Sequence, residues 1–438
     1  MRSKGLQQNK VHVITLGCSK NTVDSENLIT QLKHNKFEVE HDASNNKANI
    51  VIINTCGFIE MAKKESIDTI LQYAEAKNDG RLDRLLVTGC LSQRYREELK
   101  IEIPEVDGWF GTMDMPALLG SLQADYKKEL IGERLITTPS HFAYLKISEG
   151  CNRTCSFCAI PLMRGKHVSR TIESLVHEAE FLADHGVKEL MLIAQELTYY
   201  GLDIYKKRKL PELLQKLSEV NGIEWLRLHY AYPSKFPLEI LDEIARNPKV
   251  CKYLDMPLQH ASDRMLAAMK RQITKAETIA LIELIRTKIP SISLRTTMLV
   301  GFPGESEADF EELCDFVRLM QFDRLGVFTY SHEEDTSAYK LDDNIPENVK
   351  VSRQNKLMEI QRGISSEKNQ RMIGRSIRII IDRKEKAGWV GRSEADSPEV
   401  DQEIHILNPS LKFTAGQLVY TTIIDADDYD LIGQIDPV

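Results

Sequence analysis

Apolar and polar positions along this chain follow three successive rhythms, and each rhythm predicts a different architecture. The first alternates short, nearly continuous apolar runs with longer stretches of helical period. Residues 11–16 (Val-His-Val-Ile-Thr-Leu) read as a strand and 24–33 as the helix after it. Residues 49–53 (Asn-Ile-Val-Ile-Ile) form a continuous apolar run, as a strand buried on both faces requires, and 61–76 has helical period. Residues 84–88 predict a third such strand and 92–100 another helix, and the segment closes near residue 125. Strand and helix in turn predict an open α/β sheet of parallel strands.

The second rhythm restarts at Phe142. Strands predicted over 143–147, 189–193, 224–229, 253–256, 293–300 and 325–330 are separated by amphipathic stretches at 172–185, 210–220, 277–288 and 305–320. Six strand–helix repeats suit a partial (β/α)6 barrel better than a closed ring of eight. A long polar helix over 349–373 leads out of it. The third rhythm consists of short strands, 376–383, 389–392, 403–406 and 418–425, broken by Gly, Pro, Asn and Asp turns, which predicts a small all-β barrel. The fold class is therefore α/β followed by all-β, with domains expected at 9–125, 137–366 and 373–438.

Composition narrows the class. The 438 residues suit about three domains at roughly 150 residues each. A chain 42% hydrophobic and 28% charged reads as a soluble globular protein, and no stretch approaches the roughly 18 apolar residues of a membrane helix. Residues 1–10 are polar and basic with no apolar run and cleavage site behind them, so no secretory signal is expected and the cytoplasm is the expected location. Eight cysteines are few for a disulfide scaffold, and in a reducing compartment they read as free thiols or metal ligands. A net charge of -8 speaks against a broad nucleic-acid-binding surface and fits a basic protein partner better.

Cys151, Cys155 and Cys158 carry the strongest chemical signal, a C-x3-C-x2-C run in Glu-Gly-Cys-Asn-Arg-Thr-Cys-Ser-Phe-Cys. Three thiolates this close can hold three irons of a cubane and leave the fourth open, whereas structural zinc and electron-carrying clusters take four protein ligands. The competing readings are a zinc site with a distant fourth ligand and three packing thiols. Cys18, Cys56 and Cys90 each stand just past the carboxyl end of a predicted parallel strand and beside a glycine. Loops at those ends of an open sheet meet in one crevice, so the three look like a split ligand set, with inert core thiols as the alternative. Cys251 and Cys314 lack such a setting and read as packing residues.

Other candidates lie at or just after the carboxyl ends of barrel strands, where barrel active sites collect. Gln195, Glu196, Arg227, His229, Gln259, Gly301 and Gly304 are the candidate cofactor-binding residues there, each with an ordinary loop role as the alternative. The basic run Arg164-Gly165-Lys166-His167-Val168-Ser169-Arg170 reads either as a neutraliser of an acidic substrate or cofactor carboxylate, or as a solvated turn.

The two cysteine sets followed by a short β-barrel resemble the radical S-adenosylmethionine methylthiotransferase family over essentially the full chain. The run Ser148-Glu149-Gly150-Cys151 through Pro161 with Arg164-Gly165-Lys166, and Gly391-Arg392-Ser393-Glu394-Ala395-Asp396-Ser397-Pro398-Glu399-Val400-Asp401, look most like the members that modify a ribosomal-protein aspartate. The resemblance implies two 4Fe-4S clusters on the six cysteines, with a terminal TRAM barrel. It also implies two molecules of S-adenosylmethionine, one methylating a sulfur at the first cluster and one cleaved to a radical. The implied partners are small-subunit ribosomal protein number twelve, free or within the ribosomal subunit, and an electron donor, with no membrane. No catalytic residue beyond the cluster ligands is implied.

Charge argues against a tRNA substrate, the alternative within the family. Residues 374–438 carry 7 Lys and Arg against 12 Asp and Glu, a net of -5, which repels phosphates and attracts a basic protein. A different class, a non-catalytic iron–sulfur scaffold or electron carrier, leaves the polar barrel loops without a role.

Overall fold

The computed structural model describes residues 10–43, 48–408 and 410–435. The reading of residues 1–9 as free of a signal, and the last three residues of the final domain, lie outside these. The chain divides into two compact units, the first comprising 1–138 with 149–152 and 159–168, the second the remainder.

The first unit is a five-stranded parallel sheet of β1 (Lys10–Thr15), β2 (Glu38–His41), β3 (Ile50–Thr55), β4 (Arg84–Gly89) and β5 (Gly108–Trp109), in the order β2-β1-β3-β4-β5. Helices α1 (Ser19–His34), α2 (Glu60–Asn78) and α3 (Cys90–Glu102) alternate with the strands. The apolar run of β3 has a direct cause. Ile50 and Ile52 join Leu28, Leu32 and Leu118 on one face, while Val51 and Ile53 join Ile70, Ala74 and Leu91 on the other. A strand covered on both faces cannot alternate with polar residues. Strand β2, Glu-Val-Glu-His, escaped the sequence reading because it is an edge strand, whose polar residues leave no apolar run.

In the second unit, β6 (Phe142–Lys146), β9 (Glu189–Ile193), β10 (Trp225–Leu228), β11 (Val250–Asp255), β12 (Ser293–Val300) and β13 (Arg324–Thr329) form one parallel sheet in chain order. Two short strands, β7 (Ser148–Glu149) and β8 (Val168–Ser169), precede β9 in the chain. The expected six strands are all present, and the sheet does not close on itself. Helix Lys275–Lys288 begins two residues before its predicted start because Thr274 and Glu277 make a capping box, whereas the capping box of Ser306 with Asp309 starts Glu307–Met320 two residues after its predicted start. The long helix after the sheet spans Glu347–Gln370.

The last part of this unit is a closed barrel of β14 (Ser376–Lys384), β15 (Trp389–Ser393), β16 (Ile404–Ile406), β17 (Leu418–Ala426) and β18 (Leu431–Gln434) around Ile379, Ile381, Trp389, Ile404, Ile423 and Leu431. Closure comes from β18, which the sequence reading had not predicted and which pairs parallel with β16 and antiparallel with β17. No helix among the described residues is long and apolar enough to cross a membrane.

Candidate metal and cofactor site

Cys18, Cys56 and Cys90 follow β1, β3 and β4, three neighbouring strands of the first sheet. Connections diverge between β1 and β3, so a crevice opens beyond their carboxyl ends, where open α/β sheets bind ligands. The glycines show how closely the loops meet. A Cβ on Gly17, at φ +94°, would fall 2.6 Å from Cys56 Cβ, and one on Gly57 would fall 2.8 Å from the backbone of Leu91. Gly89, at φ +99°, leaves no room for a Cβ between Asn54 Oδ1 and Thr55 O, each 2.5 Å away. Only glycine permits both the backbone angle and the approach.

Asn21 ties the loops together, its amide N–H groups donating to Leu16 O at 2.7 Å and Thr55 O at 3.0 Å. Ser66 Oγ accepts from the Cys56 N–H at 3.1 Å and donates to its carbonyl at 2.9 Å. Cys18 is exposed, whereas Cys56 and Cys90 are buried. Burial raises the Cys56 thiol and pushes Cys90 up to about 12, so both stay protonated until a cation takes them as thiolates. No three His, Cys, Asp or Glu side chains among the described residues are grouped as for a single metal ion. A cubane presents its irons at separate corners, so a three-thiolate set for one is wider than a single-ion site. Soft thiolate donors on three converging glycine loops fit that larger group.

Of the second set, Cys151 belongs to the first unit and Cys155 and Cys158 to the second. The Cys151 N–H donates to Gly165 O at 3.1 Å, and the Cys158 N–H to Cys155 O at 3.2 Å. Cys155 Sγ accepts from Arg271 Nη1 at 3.2 Å and lies 3.8 Å from Tyr232 OH. Arg153 packs between the rings of Tyr199 and Tyr232, at 4.0 and 3.9 Å, and Arg271 lies 4.2 Å from the Tyr232 ring centre. Tyr232 and Arg271 were not singled out from sequence, because nothing local marks residues that meet Cys155 from 77 and 116 positions away.

The expected cofactor contacts separate into two groups. Gln195 and Glu196 follow β9, where Glu196 pairs with Arg153 at 3.2 Å and accepts from the Thr198 backbone N–H at 2.7 Å. Gln259, at φ +79°, bridges to Met298 of β12, and Gly301 and Gly304, at φ +76° and +80°, form the loop after that strand. Glu305 holds this loop through the Gly301 N–H, His260 at 3.1 Å and Arg353 at 2.9 Å. Arg227 and His229 face the last barrel instead. Arg227 is fully buried, donating to Glu189 at 2.7 Å and to the Glu394 carbonyl at 2.6 Å, and the His229 ring meets Ser397 Oγ at 3.1 Å. Position at a strand end predicted a cofactor role for Arg227, but partners far along the chain occupy its guanidinium.

The basic run also divides. Arg164 joins the first unit, where its guanidinium meets Asp24 at 2.6 Å, Glu149 at 3.3 Å and Asn21 Oδ1. It is a buried residue of the first cysteine crevice and not a solvated turn residue.

Three family models match the chain in succession. Residues 10–111 match the Uncharacterized protein family UPF0004, 145–317 the Radical SAM superfamily and 373–435 the TRAM domain. Proteins from Cytophaga hutchinsonii and Flavobacterium johnsoniae, each named ribosomal protein uS12 methylthiotransferase RimO, are 56% identical over 435 residues, covering 99% of this chain and 100% of theirs. A Bacteroides thetaiotaomicron protein of that name is 51% identical over 98% of this chain and 99% of its own. Among solved structures, the radical S-adenosylmethionine methyltransferase TsrM from Kitasatospora setae aligns with a TM-score of 0.54 at 17% identity, over 73% of this chain and 72% of that one. The cobalamin-dependent radical enzyme OxsB aligns at 0.52 and 14% identity, over 81% and 56%. At such identities the likeness is one of fold.

Proposed function

The chain belongs to the ribosomal protein uS12 methylthiotransferase (RimO) family of radical S-adenosylmethionine enzymes, and from that premise we propose that it adds a methylthio group to the β-carbon of an aspartate in that small-subunit protein. In this reading Cys18, Cys56 and Cys90 hold one 4Fe-4S cluster and Cys151, Cys155 and Cys158 a second. The domains at 9–125, 137–366 and 373–438 carry the first cluster, the radical chemistry and the TRAM barrel. Bound there, the clusters supply reductive cleavage of S-adenosylmethionine and a site for the transferred sulfur, drawing on an external electron donor and two molecules of S-adenosylmethionine.

The observation that carries this reading is the convergence of three glycine-flanked cysteine loops at one strand-end crevice, in a chain that also holds the C-x3-C-x2-C run. The protein's own groups bind and orient. Arg271 directs an N–H at Cys155 Sγ, Glu196 and Arg153 brace the loop after β9, and Glu305 fixes the glycine loop beside Gln259. These contacts fix the loop backbones before a ligand arrives, which lowers the ordering cost of binding. The acidic terminal barrel favours a basic ribosomal protein over tRNA. A ribosomal substrate places the enzyme in the cytoplasm.

The test is anaerobic reconstitution, iron counting, and mass spectrometry of uS12 incubated with the loaded enzyme, S-adenosylmethionine and a reductant. A methylthio adduct on an aspartate is expected, with about eight irons per chain for two cubanes. Tight, salt-sensitive tRNA binding with unmodified uS12 would overturn the substrate assignment.

A further inference from the structure

The short helix after the second cysteine run, Ile160–Arg164, belongs to the first unit. Ala159 and Met163 are buried with Cys90 in one apolar cluster, and Met163 O accepts from Thr112 Oγ1 at 2.8 Å. That packing delivers Arg164, only 5% exposed, to the polar centre of the first crevice. Asn21 Oδ1 accepts from Arg164 and lies 3.9 Å from Cys90 Sγ, so guanidinium and thiol meet at one oxygen. Asp24 and Glu149 flank the same guanidinium at 2.6 and 3.3 Å. Nothing in the catalytic reading requires a buried cation here, and a packing role alone is served by an uncharged side chain.

Resting on the reading of Cys18, Cys56 and Cys90 as cluster ligands, we infer that Arg164 is the positioning residue of that cluster: its charge stabilises the Cys90 thiolate beside Asp24 and Glu149 and raises the cluster's reduction potential. Reduction adds an electron to a group held by thiolates, next to a guanidinium that two carboxylates flank. A fixed cation at hydrogen-bonding range favours the reduced form, and its removal disfavours it. Removing a carboxylate acts in the opposite sense. Because the helix starts two residues after Cys158, the same stretch of chain that carries the second cysteine run supplies the cation of the first set.

The experiment uses the full chain with Cys151, Cys155 and Cys158 replaced by Ala, so that only the first cluster loads. Iron content and EPR-monitored redox titration are compared for this parent and for added Arg164→Gln, Arg164→Lys and Asp24→Asn. Expected are about four irons in the parent, a tenfold or greater loss in the reduction equilibrium for Arg164→Gln, about 59 mV for one electron, little change for Arg164→Lys, and a shift to higher potential for Asp24→Asn. Loss of iron in Arg164→Gln with retention in Arg164→Lys also supports the inference, since charge is then what holds the ligand set. An unchanged midpoint in iron-loaded Arg164→Gln overturns it, as does loss of iron in both Arg164 variants. A parent that binds no iron defeats the ligand reading itself, and the inference with it.

Discussion

Replacing Glu189 by Gln tests what fixes the terminal barrel to the parallel sheet within the second unit. Glu189 opens β9 with its side chain fully buried. One carboxylate oxygen accepts from Arg227 Nε of β10 at 2.7 Å, and the other lies 2.5 Å from Arg392 Nη2 of β15. Arg392 also meets Asp382 of β14 at 3.0 Å. Burial opposes the charged carboxyl, but Arg392 and Arg227 outweigh it and hold its pKa below the ordinary glutamate value. Gln keeps the shape and removes the charge, leaving two buried guanidiniums short of one carboxylate. Breaking a buried ion pair from one side costs about 3–5 kcal/mol. At roughly 1.7 °C per kcal/mol for a unit of this size, the melting midpoint falls by about 5–8 °C. Calorimetry of the metal-free protein at neutral pH reads this directly. The pH dependence supplies a second check: a depressed folded pKa contributes stability above the unfolded value of about 4.3, lost as pH falls through the folded one. The gap between parent and variant therefore narrows on acidification below about pH 4. Equal midpoints at neutral pH, or a gap indifferent to acid, refute the reasoning.

Three further outcomes are expected. Cys155→Ala abolishes 5'-deoxyadenosine formation by reduced enzyme, whereas Cys56→Ala retains some cleavage and loses sulfur insertion; methylthiolated uS12 from the Cys56 variant counts against an essential role for the first cluster. Gly89→Ala places a Cβ 2.5 Å from Asn54 Oδ1 and Thr55 O at a positive φ, so iron content of the first set falls by more than half while the cluster of the C-x3-C-x2-C run persists, which iron counting in single-cluster backgrounds resolves. Arg271→Gln removes the N–H that reaches Cys155 Sγ at 3.2 Å and lowers the potential of the second cluster, seen by redox titration; an unmoved midpoint shows that this contact does not tune it.

The amino-acid sequence by itself determined the features whose information is local. The run of β3 announces a doubly covered strand because its successive side chains enter opposite cores. The C-x3-C-x2-C spacing is legible as a candidate ligand set because the three thiols fall within eight residues of one segment. Capping boxes at Thr274 and Ser306 set helix starts within a few residues of the periodicity. Tertiary structure alone decided the rest. The first trio was legible from its strand-end positions, but the close contacts that bring it together, Gly17 against Cys56 and Gly57 against Leu91, join residues more than thirty positions apart and leave no periodic trace. Arg164 went to the first crevice through helix packing, and Arg227 was taken by Glu189 and Glu394 from β9 and the last barrel. A charged side chain's role depends on which partners desolvate and neutralise it, and those partners are named by the fold, not by its neighbours in the chain.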